Sequence, residues 1–350
     1  MYRRRLLQAS AGLVGGMSLS GCLETLGFEK QSAWRDPPLV SNRPDGIYYP
    51  ALVEGMGLYG TTEVDGVTIA LSHSYPHRFW RVTGTRRQKV VVNEDDSLHL
   101  MASVWDTESE TVLPTTISLE VRQSSDTVTQ KSLWAMLSQT MGFHYGDNVK
   151  LSGEGTYSAK VTVGPFAGQT IGTFDGRFET QRSAEMTFSF KPSETYDLKL
   201  QRLGEKAGKR GAVEPMMDQM PVGRAPPSSE LPGETVGTIK SGDVEFIISQ
   251  QKTNDESSPV TLVSPRTAYN GIIVPGMSLS MTVSRNDSGV TERELSEAIG
   301  PVSGFHYRVA GQELQQGDTV SISVAAPPQV ARHDGYETAF FDLPTTTVSV

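Results

Sequence analysis

Cysteine is almost missing from this chain: Cys22 is the only one among 350 residues. Disulfides therefore cannot staple the fold, and stability has to come from burial. Long apolar runs are missing as well, and none reaches the ~20 residues that a membrane-spanning helix needs. Positive charge is in deficit, with 31 Lys and Arg against 40 Asp and Glu. That balance denies the chain the basic face by which nucleic acid is held, so nucleic acid is excluded as a partner. Lysine is scarcer than arginine, 11 against 20. An acidic, lysine-poor composition suits salt-rich surroundings, where carboxylates keep a surface solvated. Neither a Gly-rich phosphate loop nor a Ser-His-Asp context is present, so the chain does not read as an enzyme.

The N-terminus is where the sequence speaks first. Tyr2-Arg-Arg-Arg-Leu-Leu-Gln8 has the look of a twin-arginine export signal. Residues 9–21 are small and uncharged, and they end in Leu19-Ser20-Gly21-Cys22, a lipobox-like sequence. The expectation is that residues 1–21 are removed and that Cys22 carries a diacylglycerol thioether. The protein would then be held on the outer face of the cytoplasmic membrane, having folded before export. The signal holds three arginines and no acid, so a net charge of −9 for the whole chain leaves about −12 for the rest. Asn286-Asp287-Ser288 is a glycosylation sequon, compatible with a surface location.

Residues 22–45, with Pro37, Pro38 and Pro44, read as a tether. From 46 to 202 short β-like runs alternate with Gly, Asp, Asn and Ser clusters, and no amphipathic helix of useful length appears. Residues 203–236 contain five prolines and read as a linker, which also carries Met216, Met217 and Met220. The β pattern resumes over 237–350. The expected fold class is all-β, with two immunoglobulin-like β-sandwiches in tandem.

The second half repeats the first. Gly142-Phe-His-Tyr145 recurs as Gly304-Phe-His-Tyr307, and a glycine opens a strand eleven residues after each histidine. Asp175-Gly-Arg-Phe-Glu-Thr180 is echoed by Asp334-Gly-Tyr-Glu-Thr338, which sets His333 beside Phe174. Ser97-Leu-His-Leu100 is echoed by Ser278-Leu-Ser-Met281, so Ser280 and Thr282 stand for His99 and Met101. Ala298 stands for Met136. The first copy thus keeps a His/Met set that the second lacks, apart from His306. Strand alternation puts His99 and Met101 on one face and Leu98 and Leu100 on the other.

The stretch from Met136 through Gly142-Phe-His-Tyr-Gly-Asp-Asn148 to the strand Gly155–Val163 resembles the periplasmic iron-transport companion proteins, also called the 34-kDa membrane-antigen family. The strand around Leu98-His99-Leu100-Met101 resembles an earlier strand of the same family. The resemblance is good over about 65–190 and weak over 240–350. It implies immunoglobulin-like sandwiches that bind copper, take part in iron uptake and often dimerise. Carried over, the implied ligands are His99, Met136 and His144. Met101 stands where the family has an acidic residue, and Met141 is placed to compete with Met136. A later family histidine has no counterpart in the first copy, whereas Arg332-His333-Asp334 resembles its surroundings.

Imidazole with thioether is a borderline-soft set that favours copper over magnesium, calcium or manganese, and Met101 shifts it towards Cu(I). Iron remains a second candidate, as cargo or as the object of copper redox chemistry. Histidines bind metals as neutral imidazoles, so affinity should fall below about pH 6. The tandem copies suggest an intramolecular pseudo-dimer, or a homodimer, with His333 completing the first copy's site. A gap of more than ~15 Å between His333 and His144 would remove that idea, because ligands lie ~2 Å from the metal. His306 reads as a packing residue of a turn. His73 and His77 have i,i+4 spacing, but Pro76 precludes a helix, so a surface loop is expected for both. The partners expected are the membrane through the lipid and an iron permease. The alternative is a structural or adhesive surface lipoprotein without metal.

Overall fold

The computed structural model describes residues 38–216, 220–252, 258–285 and 290–350. The signal, Cys22, most of the tether, Met217 and the sequon lie outside the described residues. Among the described residues no helix is long and apolar enough to cross a membrane.

The chain is nearly all β. The first half holds β1 (Leu52–Glu54), β2 (Gly57–Val64), β3 (Val67–Ser74), β4 (Phe79–Thr83), β5 (Arg86–Val90), β6 (Leu98–Asp106) and β7 (Ile117–Gln123). It continues with β8 (Asp126–Ser138), β9 (Gly142–Val149), β10 (Gly155–Val163), β11 (Gln169–Thr170), β12 (Arg182–Phe190), the short helix α1 (Pro192–Tyr196) and β13 (Leu200–Arg202). The second half holds β14 (Glu234–Ser241), β15 (Val244–Gln251), β16 (Val260–Thr267), β17 (Ser278–Arg285) and β18 (Val290–Glu294). It ends with β19 (Ser296–Gly300), β20 (Gly304–Ala310), β21 (Asp318–Ala326), β22 (Ala331–Arg332) and β23 (Thr346–Ser349).

In the first sandwich the long strand β8 serves both leaves. Its residues up to Leu133 pair with β7, and from Trp134 to Ser138 they pair with β9. The order β12-β10-β7-β8-β9-β6-β3-β2 folds back on itself at β8, and Tyr59 of β2 meets Phe188 of β12 with ring centroids 4.5 Å apart. Alternating Leu98, Leu100, Ala102 and Val104 of β6 enter the core between the leaves. The whole of β6 is buried, however, so its other face is covered too. Each such aliphatic side chain contributes ~1.5–3 kcal/mol on burial. The second sandwich pairs a six-stranded sheet, β11-β19-β20-β16-β15-β14, with a four-stranded sheet, β18-β17-β21-β23.

The repeated motif folds alike in both copies, as strand and not as turn. Gly142 and Gly304 have φ +66 and +59. His144 Nδ1 donates to Gly142 O at 3.2 Å, and His306 Nδ1 to Gly304 O at 3.1 Å. Tyr145 Oη accepts from the Thr115 amide, as Tyr307 Oη does from the Met277 amide.

Two sequence correspondences need correction. Strand β17 pairs with β18 and β21, as β7 pairs with β8 and β10; the place of β6 is taken by β16. His99 lies opposite Asn148, and the matching pair in the second copy is Val260 opposite Ala310. Met101 is matched by Leu262, and Ser280 and Thr282 are not counterparts of the site. Both β6 and β17 begin with a Ser-Leu pair, which misled the comparison of sequences. Likewise the counterpart of His333 is Ile171, not Phe174. The His333 amide donates to Leu137 O at 3.2 Å and the Ile171 amide to Ile299 O at 3.0 Å.

These last two bonds belong to a reciprocal exchange. Strand β22 runs parallel to β8, with Ala331 beside Met136 and Arg332 beside Leu137. Strand β11 runs parallel to β19, with Gln169 beside Ala298 and Thr170 beside Ile299. Each half gives two residues to the other's sheet. The expected linker is laid down against both: Phe143 donates to Val222 O, Ala225 to Gly271 O and Ile273 to Gly223 O, and Met220 is buried. The end of the expected tether is docked as well, since Arg43 contacts Glu337 at 2.7 Å.

Gly142 and Gly84 test how tightly this junction is packed. Both have left-handed φ, but a Cβ on Gly142 would run into the Val222 carbonyl, while Gly84 faces open space. Gly84→Ala is expected to cost about 1–2 kcal/mol of backbone strain, and Gly142→Ala more than about 3 kcal/mol. Urea unfolding of the two variants checks this, and equal costs would contradict it.

Candidate metal centre

The covered face of β6, turned away from the core between the leaves, gathers with its neighbours four of the chain's six histidines. β6 brings His99. The β8–β9 hairpin sets Met136 directly opposite His144. The connection from β3 to β4 carries His77, and the backbone just after β22 carries His333. Pro76 keeps this connection extended, because proline fixes its own φ and disfavours helix at the residue before it.

His77 Nε2 lies 3.0 Å from His333 Nδ1, and His333 Nε2 lies 3.3 Å from Met136 Sδ. Ring centroids of His77 and His99 are 4.2 Å apart, and those of His144 and His333 5.3 Å. One ring nitrogen each of His77, His99 and His333 falls within 4.8 Å of the others, close enough to share one ion. Met136 also packs with Phe79 and Ala331 in a small apolar cluster of its own.

The tautomers follow from the partners. Asn148 Nδ2 donates to His77 O at 2.9 Å, and Asn148 Oδ1 accepts from the His77 amide at 3.3 Å. The oxygen so oriented accepts from His99 Nδ1 at 2.9 Å. His144 Nδ1 donates to a carbonyl. In both rings the proton is therefore on Nδ1 and the Nε2 lone pair is bare. Both Nε2 atoms are buried, and no protein hydrogen-bond partner reaches either. The nearest groups to His77 Nδ1 are acceptors, Tyr75 O at 2.8 Å and Glu54 Oε2 at 3.1 Å, and the Ser74 hydroxyl at 3.4 Å donates to Tyr75 O, so His77 too is protonated on Nδ1.

Electrostatics keep most of these rings neutral. Burial, assisted by the neighbouring His77, pushes His99 and His333 well below the usual histidine range. Burial lowers His144 to about 4. Burial also works against a charge on His77, but Glu54 outweighs it and the pKa is raised. Neutral, convergent, partnerless nitrogens beside a thioether fit a soft or borderline cation.

Outer contacts hold the set in place. Asn148 fixes both His77 and His99. Asp334, next to His333, is gripped by Arg78 through Nε at 3.1 Å and Nη2 at 2.6 Å. A Cβ on Gly146 would come within 2.6 Å of His99 Nε2, so glycine is what lets that ring lie flat on the strand. A cavity of about 90 Å³ opens beside the cluster, lined among others by Met101, Met141, His144 and His333.

The structure thus gathers His99, Met136, His144 and His333 in one place, with Met101 on the adjoining cavity wall. The His333–His144 separation falls inside the limit set above. His77 is where the sequence reading fails. It is no surface residue: it is 9% exposed and lies inside the cluster. His73 is buried too, stacked on Tyr59 at 4.1 Å and outside the cluster. The His-x-x-x-His spacing was the available signal, but it was weighed as a helix pattern, whereas an extended chain turns His77 inward. Asn148 closes the His-Tyr-Gly-Asp-Asn motif, but its hold on His77 and His99 is not legible there, and nothing local marks Glu54. His306 is buried and strand-borne, with its own partnerless Nε2.

Residues 94–201 match the family described as Fe2+ transport protein. They include His99, Met101, Met136 and His144, but neither His77 nor His333. Residues 229–349, which contain His333, match a domain of unknown function, DUF7350. No curated protein matches the chain. Among solved structures, a copper-bound variant of FetP from uropathogenic Escherichia coli strain F11 is 16% identical, with a TM-score of 0.32 over 39% of this chain and 92% of that one. The FetP of that strain in its as-isolated form, expressed recombinantly in the periplasm of E. coli BL21(DE3), is 15% identical, with a TM-score of 0.31 over 40% of this chain and 95% of that one. A copper-bound variant of Campylobacter jejuni P19 is 17% identical, with a TM-score of 0.31 over 38% and 96%.

His73, His144 and His306 are each lowered to about 4 by burial. Between that value and about 6.5 the unfolded chain binds protons that the fold refuses, so stability falls as pH falls through this window. The urea midpoint of metal-free protein is expected to drop steadily between about pH 7 and about pH 4.5. His306→Leu should flatten part of that slope, and a midpoint constant across the window would contradict the burial argument.

Proposed function

With residues 94–201 in the Fe2+ transport protein family as premise, we propose that this chain is an extracytoplasmic copper-binding protein that assists iron uptake. His99, His144, Met136 and His333 hold the metal, with His77 as a further imidazole and Met101 within reach. The observation that carries this reading is the convergence of ring nitrogens of His77, His99 and His333 within 4.8 Å, with Met136 Sδ 3.3 Å from His333 Nε2 and with the Nε2 atoms of His99 and His144 buried and partnerless. Leaving two such acceptors buried costs about 1–3 kcal/mol each unless a cation takes them up. Imidazole with thioether prefers copper among the biological divalent and monovalent metals. The copper bound in the relatives' structures agrees with that choice.

In this reading the copper supplies a one-electron couple or a fixed cation, and the protein supplies its geometry. Asn148 and Glu54 orient two rings, the Arg78–Asp334 pair steadies the backbone beside His333, and the apolar Phe79–Met136–Ala331 cluster excludes water. The second sandwich has lost its own site, keeping only His306, and serves by delivering His333. The two halves act as a pseudo-dimer within one chain. A lipid on Cys22 would keep the assembly on the outer face of the membrane, within a tether's reach of an iron permease.

Competition titration of the mature chain with Cu(I) and Cu(II) tests the assignment. Asn148→Ala is expected to weaken binding about 10–100-fold. His99→Ala, His144→Ala and His333→Ala should weaken it further. No binding at micromolar copper would leave a structural or adhesive surface protein as the function. Fractionation of cells carrying Cys22→Ser tests the anchor: the variant is expected in the soluble exported fraction, and retention on the membrane would contradict the lipid.

A further inference from the structure

The histidine cluster is approached through methionines. The cavity beside it is lined by Met56, Met101 and Met141, and a neighbouring surface groove shares Met56 and adds Met216. Exposure rises outward along this series. Met101 and Met141 are 2% and 3% exposed, Met56 is partly buried and Met216 is 42% exposed. With Met136 in the cluster, five of the chain's twelve methionines line one continuous course from surface to site.

Packing alone does not ask for thioethers there. The second sandwich supplies an internal control, because its corresponding positions perform the same structural duty without a cluster. Met101 is matched by Leu262 and Met136 by Ala298. Met141, at the 162-residue separation that relates His144 to His306, is matched by Ser303. Leu262, Ala298 and Ser303 are all buried. Where Val260 and Ile171 stand for His99 and His333, the methionines are absent too, although His306 stands for His144.

We propose that Met56, Met101 and Met141 form the access route by which Cu(I) reaches the histidine cluster, with Met216 as its outermost thioether. The inference rests on the copper reading above and names the oxidation state delivered. Thioethers are soft, neutral ligands that bind Cu(I) and offer little to hydrated divalent ions. A succession of weak thioether contacts lets Cu(I) move inward without ever standing unligated in an apolar wall. Oxygen donors line the route as well, namely Glu54 facing His77, Asp334 held by Arg78, the hydroxyls of Ser74, Ser138 and Thr140, and Asp197 in the outer groove, but the thioethers are its soft donors.

The test is the rate of Cu(I) uptake by the metal-free mature chain from its bicinchoninate complex, followed by stopped flow. Met56→Leu/Met141→Leu keeps volume and apolarity, so the fold should survive. The double variant is expected to take up Cu(I) about tenfold more slowly, a barrier higher by about 1.4 kcal/mol. Its equilibrium affinity for Cu(II) should match that of the unmodified protein. Unchanged Cu(I) uptake would overturn the route while leaving the copper site standing. Equal slowing of Cu(II) uptake would overturn its selectivity and mark the cavity as merely steric. If the unmodified chain binds copper in neither state, the copper reading fails, and the route with it.

Discussion

The structure hinges on a short parallel pairing: Ala331 and Arg332 of the second sandwich lying beside Met136 and Leu137 of the first. Two residues of backbone pairing are a weak bond by themselves, and their surroundings make them firm. Arg332 is fully buried, its guanidinium bonded to the Ala339 and Pro328 carbonyls and set 4.4 Å from the Phe341 ring centroid. It also pairs with Trp80 of β4 on the other side. The strand is therefore locked between β4 and β8. The residue that follows it, His333, has no freedom to leave the Met136–His144 pair.

That constraint explains the asymmetry of the two halves. The reciprocal strand, β11, makes the same kind of parallel pairing on β19 but is followed by Ile171, whose side chain lies beside Gly300. Of the donors of the first copy, only the counterpart of His144, His306, is present there. The backbone exchange is alike in both directions, whereas the imidazole and thioether donors gather on one side alone. The cluster is buried and crowded with imidazoles, so His99, His144 and His333 are disfavoured in their charged form, while Glu54 favours it at His77.

Much of this was legible along the chain. The all-β class, the tandem repeat and the Met136, His144 and His99 set are carried by local patterns: short alternating runs, a repeated Gly-Phe-His-Tyr, and imidazole with thioether as a donor type. Strand alternation around His99 held because Leu98 and Leu100 had to face the core. Other features were not legible. A Ser-Leu pair stands at the head of both β6 and β17, yet the two strands occupy different places in their sheets. His77 looked like a loop residue because helical spacing was the only frame available for His-x-x-x-His.

Composition and motif determined the fold class, the donor chemistry and the likeness to an iron-transport family, since those depend on residue type and near-neighbour spacing. The tertiary structure decided which donors meet. His77, His333 and Asn148 are separated from His99 by 22, 234 and 49 positions, and no local pattern encodes a contact closed by strand exchange. The same holds for the methionine-lined cavity, whose residues come from six segments of the chain. Distances across a sheet are set by register and by what each strand buries, and those quantities exist only once the chain has folded.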